Sequence, residues 1–238
     1  MKKAVVVGAS SGIGRELAGI LAQEGYLVGI TGRRKEKLDA LKSERPDSYI
    51  LSVFDITNEG TLVNNLETLV AELGGLDLLV LSSGTAALNE ELDFELEKPT
   101  LNTNVIGFTQ VADWSIKKFE EQGFGHFAAI SSIGGLRGGK AAPAYNASKA
   151  YQINYLEGLR VRAKQKQKAI SITDIRPGLV DTAMAKGEGL FWVMPPEKVA
   201  KQIWHAIRKK KKVAYVSKRW GVMARLLLIL PRFIYDRM

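Results

Sequence analysis

Short apolar runs alternate with helix-patterned stretches along almost the whole chain. Ala4–Val7 reads as a buried strand, and Gly12–Gln23 as a helix with Ile13, Leu17, Ile20 and Leu21 on one face. The same reading places strands at Tyr26–Thr31, Tyr49–Val53, Leu76–Leu81, His126–Ser131, Ala169–Ile175 and Val213–Val216. Helices are expected at Lys35–Lys42, Thr61–Leu73, Ala144–Lys164 and Glu197–Lys210, with a long helical region running from after Leu81 to about Glu121. Strands this apolar need cover on both faces, the condition of a parallel sheet. Parallel neighbours joined by helices require right-handed crossovers. The expected fold is therefore α/β, a doubly wound sheet of about seven parallel strands with helices on both faces.

The 238 residues suffice for one such domain. No cysteine is present, which excludes disulfides and thiolate metal sites. His126 and His205 alone cannot build a metal site, so no metal is expected. The N-terminal apolar run ends in a glycine loop after four residues, too short for a secretion signal. No stretch is long enough to span a bilayer. A cytoplasmic location is expected. The net charge of +9 is unevenly placed: residues 208–238 hold ten basic side chains and one acid, Asp236, so the rest of the chain is balanced. This divides the chain into a domain at 1–218 and a basic, apolar tail segment at 219–238.

Gly8-Ala9-Ser10-Ser11-Gly12-Ile13-Gly14 lies between the first strand and the first helix. Glycines there allow a tight turn and close approach of a pyrophosphate, while the helix N-terminus supplies N–H donors. This is the dinucleotide position of a Rossmann sheet, with Gly8, Ser10, Ser11, Gly12, Ile13 and Gly14 as candidate cofactor contacts. The second strand ends Ile30-Thr31-Gly32-Arg33-Arg34. No acid stands there to accept a ribose 2′-hydroxyl, whereas two arginines suit a 2′-phosphate. NADP(H) is expected over NAD(H).

Tyr145 and Lys149 are four residues apart in a helical segment and so share a face. A phenol titrates near ~10, and a neighbouring ammonium favours its ionised form. The pair can serve as acid and base for a carbonyl and an alcohol. Ser132 ends the fifth strand, 13 residues before Tyr145, where a parallel sheet presents its ligand crevice.

Taken together, VVVGASSGIG (5–14), Asp55, Asn104 in N-V-I-G, ISS (130–132), YNASK (145–149) and RPGLVDT (176–182) resemble the short-chain dehydrogenase/reductase superfamily. The resemblance implies that Tyr145 donates the proton in reduction and accepts it in oxidation. It implies that Lys149 holds the nicotinamide ribose and depresses the Tyr145 pKa, and that Ser132 binds the substrate oxygen. Asn104 would support a proton relay through Lys149. Asp55 and Ile56 would border the adenine, and Pro177, Gly178, Val180 and Thr182 the nicotinamide side. A hydride would pass between the nicotinamide and the substrate carbon. The family's N-N-A-G after the fourth strand is here Leu81-Ser82-Ser83-Gly84, so Ser83 and Gly84 would approach the cofactor without the usual amide side chains. The resemblance also implies a homodimer or homotetramer.

After Thr182 a short apolar stretch with Met184, Leu190, Phe191, Trp192 and Met194 points to a hydrophobic carbonyl or alcohol substrate, or to simple packing. In the tail, Val222–Ile234 is mostly apolar beside the bases. It reads as a cover for the substrate cleft, as a dimer contact, or as a peripheral membrane contact through residues 208–238. Nucleic acid is not expected, because no recognised binding module accompanies the bases. The main expectation is a carbonyl reductase. Its rivals are a membrane-associated lipid or sterol ketone reductase and a non-catalytic nucleotide-binding regulator on the same fold.

Overall fold

A valine-rich strand lies in the interior of the sheet, because both of its faces are apolar. In β1 (Lys3–Val7), Ala4 to Val7 are fully buried. Val5 and Val7 point into one core and Ala4 and Val6 into the other, the period of two that a strand imposes. The computed structural model of the chain describes residues 1–182 and 191–237.

Around β1 lie β2 (Leu27–Gly32), β3 (Tyr49–Val53), β4 (Leu78–Leu81), β5 (Phe124–Ile130), β6 (Ala169–Pro177) and β7 (Val213–Val216). Their order is β3-β2-β1-β4-β5-β6-β7, with every neighbouring pair parallel. The seven-stranded parallel sheet is thus as the alternation predicts. The chain winds outward from β1 to β3 and then returns to lay β4 on the other side of β1. At that reversal the loops after β1 and β4 diverge, which opens a crevice at the C-terminal strand ends.

The helices cover both faces. α1 (Gly12–Gln23), α2 (Lys35–Glu44) and α7 (Pro196–Arg208) bring Leu17, Leu21, Leu38, Val199 and Ile203 onto the Ala4 and Val6 face. α3 (Glu59–Leu73), α5 (Phe108–Gln122) and α6 (Pro143–Gln165) bring Leu62, Leu66, Phe108, Val111, Phe119 and Leu156 onto the Val5 and Val7 face. Each fully buried side chain of this size contributes about 1.5–3 kcal/mol. The chain ends in α8 (Lys218–Ile229) and a short α9 (Arg232–Tyr235).

The long helical region expected after β4 is broken into parts. Residues 82–93 are a loop in which the Asn89 amide donates to Asp93 O at 3.0 Å and accepts from Asp93 N at 2.8 Å. The Asp93 carboxylate then accepts from Glu95 N at 2.9 Å and starts α4 (Phe94–Leu101). Pro99 inside α4 removes a backbone donor. The helix continues as a π turn over Asn102–Gly107 before α5 begins. Such turns are rare and are often found at functional sites.

Candidate active site

The loop after β1 has a shape that its glycines dictate. Gly8 has φ +93°, and a Cβ on it would lie 2.7 Å from the Ser83 nitrogen. Gly14 is packed so closely that a Cβ would meet Gly8 O at 2.1 Å, so α1 lies directly against the loop. The Gly8 and Ala9 N–H groups donate to Thr31 O at 3.0 and 2.8 Å, which ties the loop to β2. Ser11 caps α1 without a side-chain bond, and no acid stands in the first helical turn. The helix start therefore presents N–H donors and a positive dipole end to the crevice. Ser82 and Ser83 N–H both donate to Val7 O, at 2.8 and 3.0 Å, so backbone groups join β4 to β1 here.

At the end of β2, Arg34 folds back onto this loop. Its guanidinium donates to Ser10 Oγ at 2.7 Å and to Ser11 Oγ at 2.6 Å. Arg33 reaches Asp55 Oδ2 at 3.3 Å. Burial opposes charge on Asp55, but bonds from the Thr57 N–H and hydroxyl, with Arg33 nearby, outweigh it and hold the carboxyl below its usual range. Thr31 lines the same crevice and keeps a buried hydroxyl with no partner among the described residues. A glycine cradle, free helix-end amides and an unpartnered hydroxyl fit a dinucleotide.

The crevice continues as a cleft of about 890 Å³ to the end of β5. It is lined by Gly8, Ser10, Ser11, Gly12, Ile13, Arg33, Arg34, Asp55, Ile56, Ser83 and Gly84 at one end. At the other end it is lined by Ser132, Tyr145, Lys149, Pro177, Gly178, Val180 and Thr182. Gly14 and Asn104 are not part of this lining. Ala86, Ala87, Leu88, Ala142 and Leu179 add apolar groups to the same lining. Of the residues after Thr182, Phe191 and Trp192 pack with Trp220 of α8 at ring separations of 5.4 and 5.8 Å. Met194 pairs with Val180 in an isolated bridge. Met184 and Leu190 lie outside the described residues.

Ser132 follows β5, and its Oγ accepts from Gly134 N at 3.0 Å. That leaves the hydroxyl proton to donate on the cleft side, where the Tyr145 phenol stands. Pro143 starts α6, and Tyr145 and Lys149 follow on one face of its first turns. Burial pushes the Tyr145 phenol above its ordinary value, and Ser132 pulls it partly back. The expectation that Lys149 depresses the Tyr145 pKa is not met in this structure. The ammonium lies 5.8 Å from the centre of the Tyr145 ring and donates elsewhere, to Ile130 O at 3.0 Å and Gln152 Oε1 at 2.9 Å. Burial also brings Lys149 itself down to about 8, against a smaller raising effect from Asp174.

Asn104 sits in the π turn. Its side chain bridges Thr85, accepting from the N–H at 3.0 Å and donating to the carbonyl at 2.8 Å, and also donates to Ser148 Oγ at 3.0 Å. The link from Asn104 to Lys149 runs through Gln152, whose amide nitrogen donates to Asn104 O at 2.8 Å. Gln152 is buried, and sequence reasoning passed over it. Its spacing of three from Lys149 is the signal that could have found it, since a buried ammonium needs an acceptor on its own helix face. Replacing Gln152 by Leu removes that acceptor. A hydrogen bond to a charged group contributes about 1.5–3 kcal/mol, so the Lys149 pKa should fall below its value of about 8 by roughly 1–2 units. The pH dependence of kcat/KM should show its alkaline limb displaced toward neutral by that amount, and Gln152→Glu should displace it the other way.

Behind Ser132, Ser131 Oγ donates to the fully buried Asp174 at 2.5 Å. Arg176 donates to the same carboxylate at 2.7 Å through Nε and lies 2.6 Å from it through Nη2. This network joins β5 to β6 directly under the reacting end of the cleft.

A family model described as short chain dehydrogenase matches residues 2–190. An uncharacterised oxidoreductase of Myxococcus xanthus (strain DK1622) is 34% identical over 188 residues, covering 77% of this chain and 74% of the relative. A short-chain dehydrogenase/reductase from Burkholderia phymatum, solved in complex with NAD, superposes with a TM-score of 0.85 at 19% identity. It covers 94% of this chain and 92% of that one. ElxO, solved with NADP bound, gives a TM-score of 0.81 at 23% identity, covering 93% of this chain and 99% of its own. At such identities these structures carry the fold alone, and their cofactors differ from one another.

Proposed function

The chain belongs to the short-chain dehydrogenase family and is an oxidoreductase, and on that premise we propose that it uses NADP(H) to interconvert the carbonyl and alcohol forms of an apolar substrate. The observation that carries this reading is the shared wall of one cleft. Ser132, Tyr145 and Lys149 line one end of it, and the glycine loop with Arg33 and Arg34 lines the other. Bound there, the nicotinamide supplies the hydride, chemistry that no side chain can supply. With substrate bound, Ser132 donates its proton to the substrate oxygen and holds it beside Tyr145. The buried phenol stays protonated at neutral pH and is the proton donor for the developing alkoxide. Lys149, with a pKa of about 8, is largely an ammonium at neutral pH and places positive charge behind that oxygen. The alanines and Leu88 in the same lining suit a substrate whose body is apolar.

Preference for NADP(H) rests on Arg34 and Arg33 at the end of β2 and on the lack of an acid there. Arg34→Glu should lower kcat/KM for NADPH about 100-fold, through loss of a charge-assisted phosphate contact and gain of a repulsive charge. The value for NADH should change much less. The measurement is nicotinamide oxidation with a series of ketones of increasing apolar area. An unchanged preference for NADPH would remove the 2′-phosphate assignment, and no turnover of any ketone by the wild type would remove the carbonyl reading.

A further inference from the structure

Helix α8 uses one face to hold onto the cleft rim and leaves the opposite face uncovered. On the inner face, Trp220, Gly221 and Ala224 are buried. The Trp220 indole lies on Gly178, where a Cβ would come within 2.2 Å of the ring. The C-terminal end of α8 is held by Arg137, which donates to Leu227 O at 3.1 Å and Leu230 O at 2.9 Å. Past Pro231, the Tyr235 hydroxyl donates to Gly138 O, and its ring stacks under the Arg137 guanidinium. The tail is thus fixed to the loop that follows Ser132.

The outer face is different. Val222, Leu226 and Ile229 follow the i, i+4, i+7 spacing of one helical stripe and are 56%, 52% and 76% exposed. Phe233 and Ile234 extend the apolar surface and are also exposed. Lys218 and Arg225 flank the stripe on one side and Arg219 on the other, with Arg232 and Arg237 beyond. Asp236 is the one acid in the segment. Among the described residues no helix is long and apolar enough to cross a membrane. An exposed aliphatic stripe edged by bases is the pattern of a helix lying in a lipid interface.

We propose that the outer face of α8, with residues 231–237, docks on an anionic lipid surface. The aliphatic side chains enter the boundary between headgroups and acyl chains, and the flanking bases meet the lipid phosphates. A second copy of the chain fits this face poorly. A two-fold pairing of the two tails would set five bases of one copy against five of the other, with a single acid on each side. The docked tail holds the rim of the cleft at the lipid surface through the Trp220 and Arg137 contacts. Delivery of an apolar substrate from the bilayer follows only if the proposed carbonyl chemistry holds, whereas lipid binding itself does not depend on it.

The test is co-sedimentation of the full-length protein with vesicles of equal parts phosphatidylglycerol and phosphatidylcholine, and with vesicles of phosphatidylcholine alone. Each base near an anionic surface strengthens binding about fivefold, so affinity should be at least tenfold higher on the charged vesicles and should fall in high salt. Leu226→Ser with Ile229→Ser should weaken binding at least tenfold, since each buried aliphatic side chain is worth about tenfold. Both residues are more than half exposed, and the melting temperature of the double variant should match the wild type. Failure of the wild type to pellet with charged vesicles would overturn the proposal. Wild-type binding by the double variant would also overturn it. So would sedimentation showing that the variant dissociates a dimer, since the face would then be a subunit contact.

Discussion

Tyr145→Phe should leave the fold and NADPH binding unchanged and lower kcat/KM for carbonyl reduction by about 1000-fold, within the 10²–10⁴ that general acid catalysis contributes. The substitution removes a single oxygen and leaves the ring beside Ser132 and Lys149 in place. The cradle at Gly8, Arg33 and Arg34 lies at the other end of the cleft and is untouched. The expected pattern is therefore a loss in kcat, with the Kd for NADPH within about twofold of wild type. Steady-state kinetics and quenching of protein fluorescence by NADPH separate the two. Equal loss of cofactor binding would mean that the phenol is a structural contact and not the proton donor.

The second large effect concerns stability. Asp174→Ala should destabilise the protein by about 3–5 kcal/mol. The carboxylate is fully buried and accepts from Ser131 and Arg176. Without it the buried Arg176 guanidinium keeps a contact to the Tyr215 hydroxyl, at 3.1 Å, but has no counter-charge among the described residues. An uncompensated buried charge is what makes removal of one partner so expensive. For a chain of this size the loss corresponds to a fall in melting temperature of roughly 10 °C. Replacing both partners, Asp174→Leu with Arg176→Met, should recover most of it, since an apolar pair leaves no orphaned charge. Calorimetry of the two variants decides between this account and one in which Asp174 is only a space-filling residue.

The layout of the sheet is legible in the chain because strands buried on both faces leave long apolar runs, and their alternation with helical periods admits few topologies. Strand ends are less legible. β5 starts two residues earlier than its apolar pattern and β6 runs two residues further, to Pro177, because pairing with neighbours and not hydropathy sets the limits. The π turn at Asn102–Gly107 has no sequence mark beyond Pro99 upstream, since one widened turn changes no residue type. In the site, Ser132, Tyr145 and Lys149 are marked by spacing and by the strand end. Gln152 is not marked, because its importance comes from the complete burial around Lys149, which only the packed structure displays. The expected depression of the Tyr145 pKa considers only two residues on one helix face. It fails in this structure because burial acts more strongly on the phenol than a lysine already satisfied by Ile130 O and Gln152. The tail reads ambiguously for a related reason. Its apolar residues serve two faces, and the sequence does not say that Trp220 turns inward while Leu226 and Ile229 turn out.

The central claim is that a carbonyl held at Ser132 and Tyr145 is reduced by NADPH bound at the glycine loop. Single-turnover reaction of NADPH carrying deuterium at both C4 positions of the nicotinamide tests it most directly, with the best ketone of the apolar series as substrate and the product analysed by mass spectrometry. The account predicts one deuterium on the carbinol carbon per NADPH consumed in the wild type, and product formation about 1000-fold slower in Tyr145→Phe. Alcohol without deuterium, or the same rate in Tyr145→Phe, would contradict it.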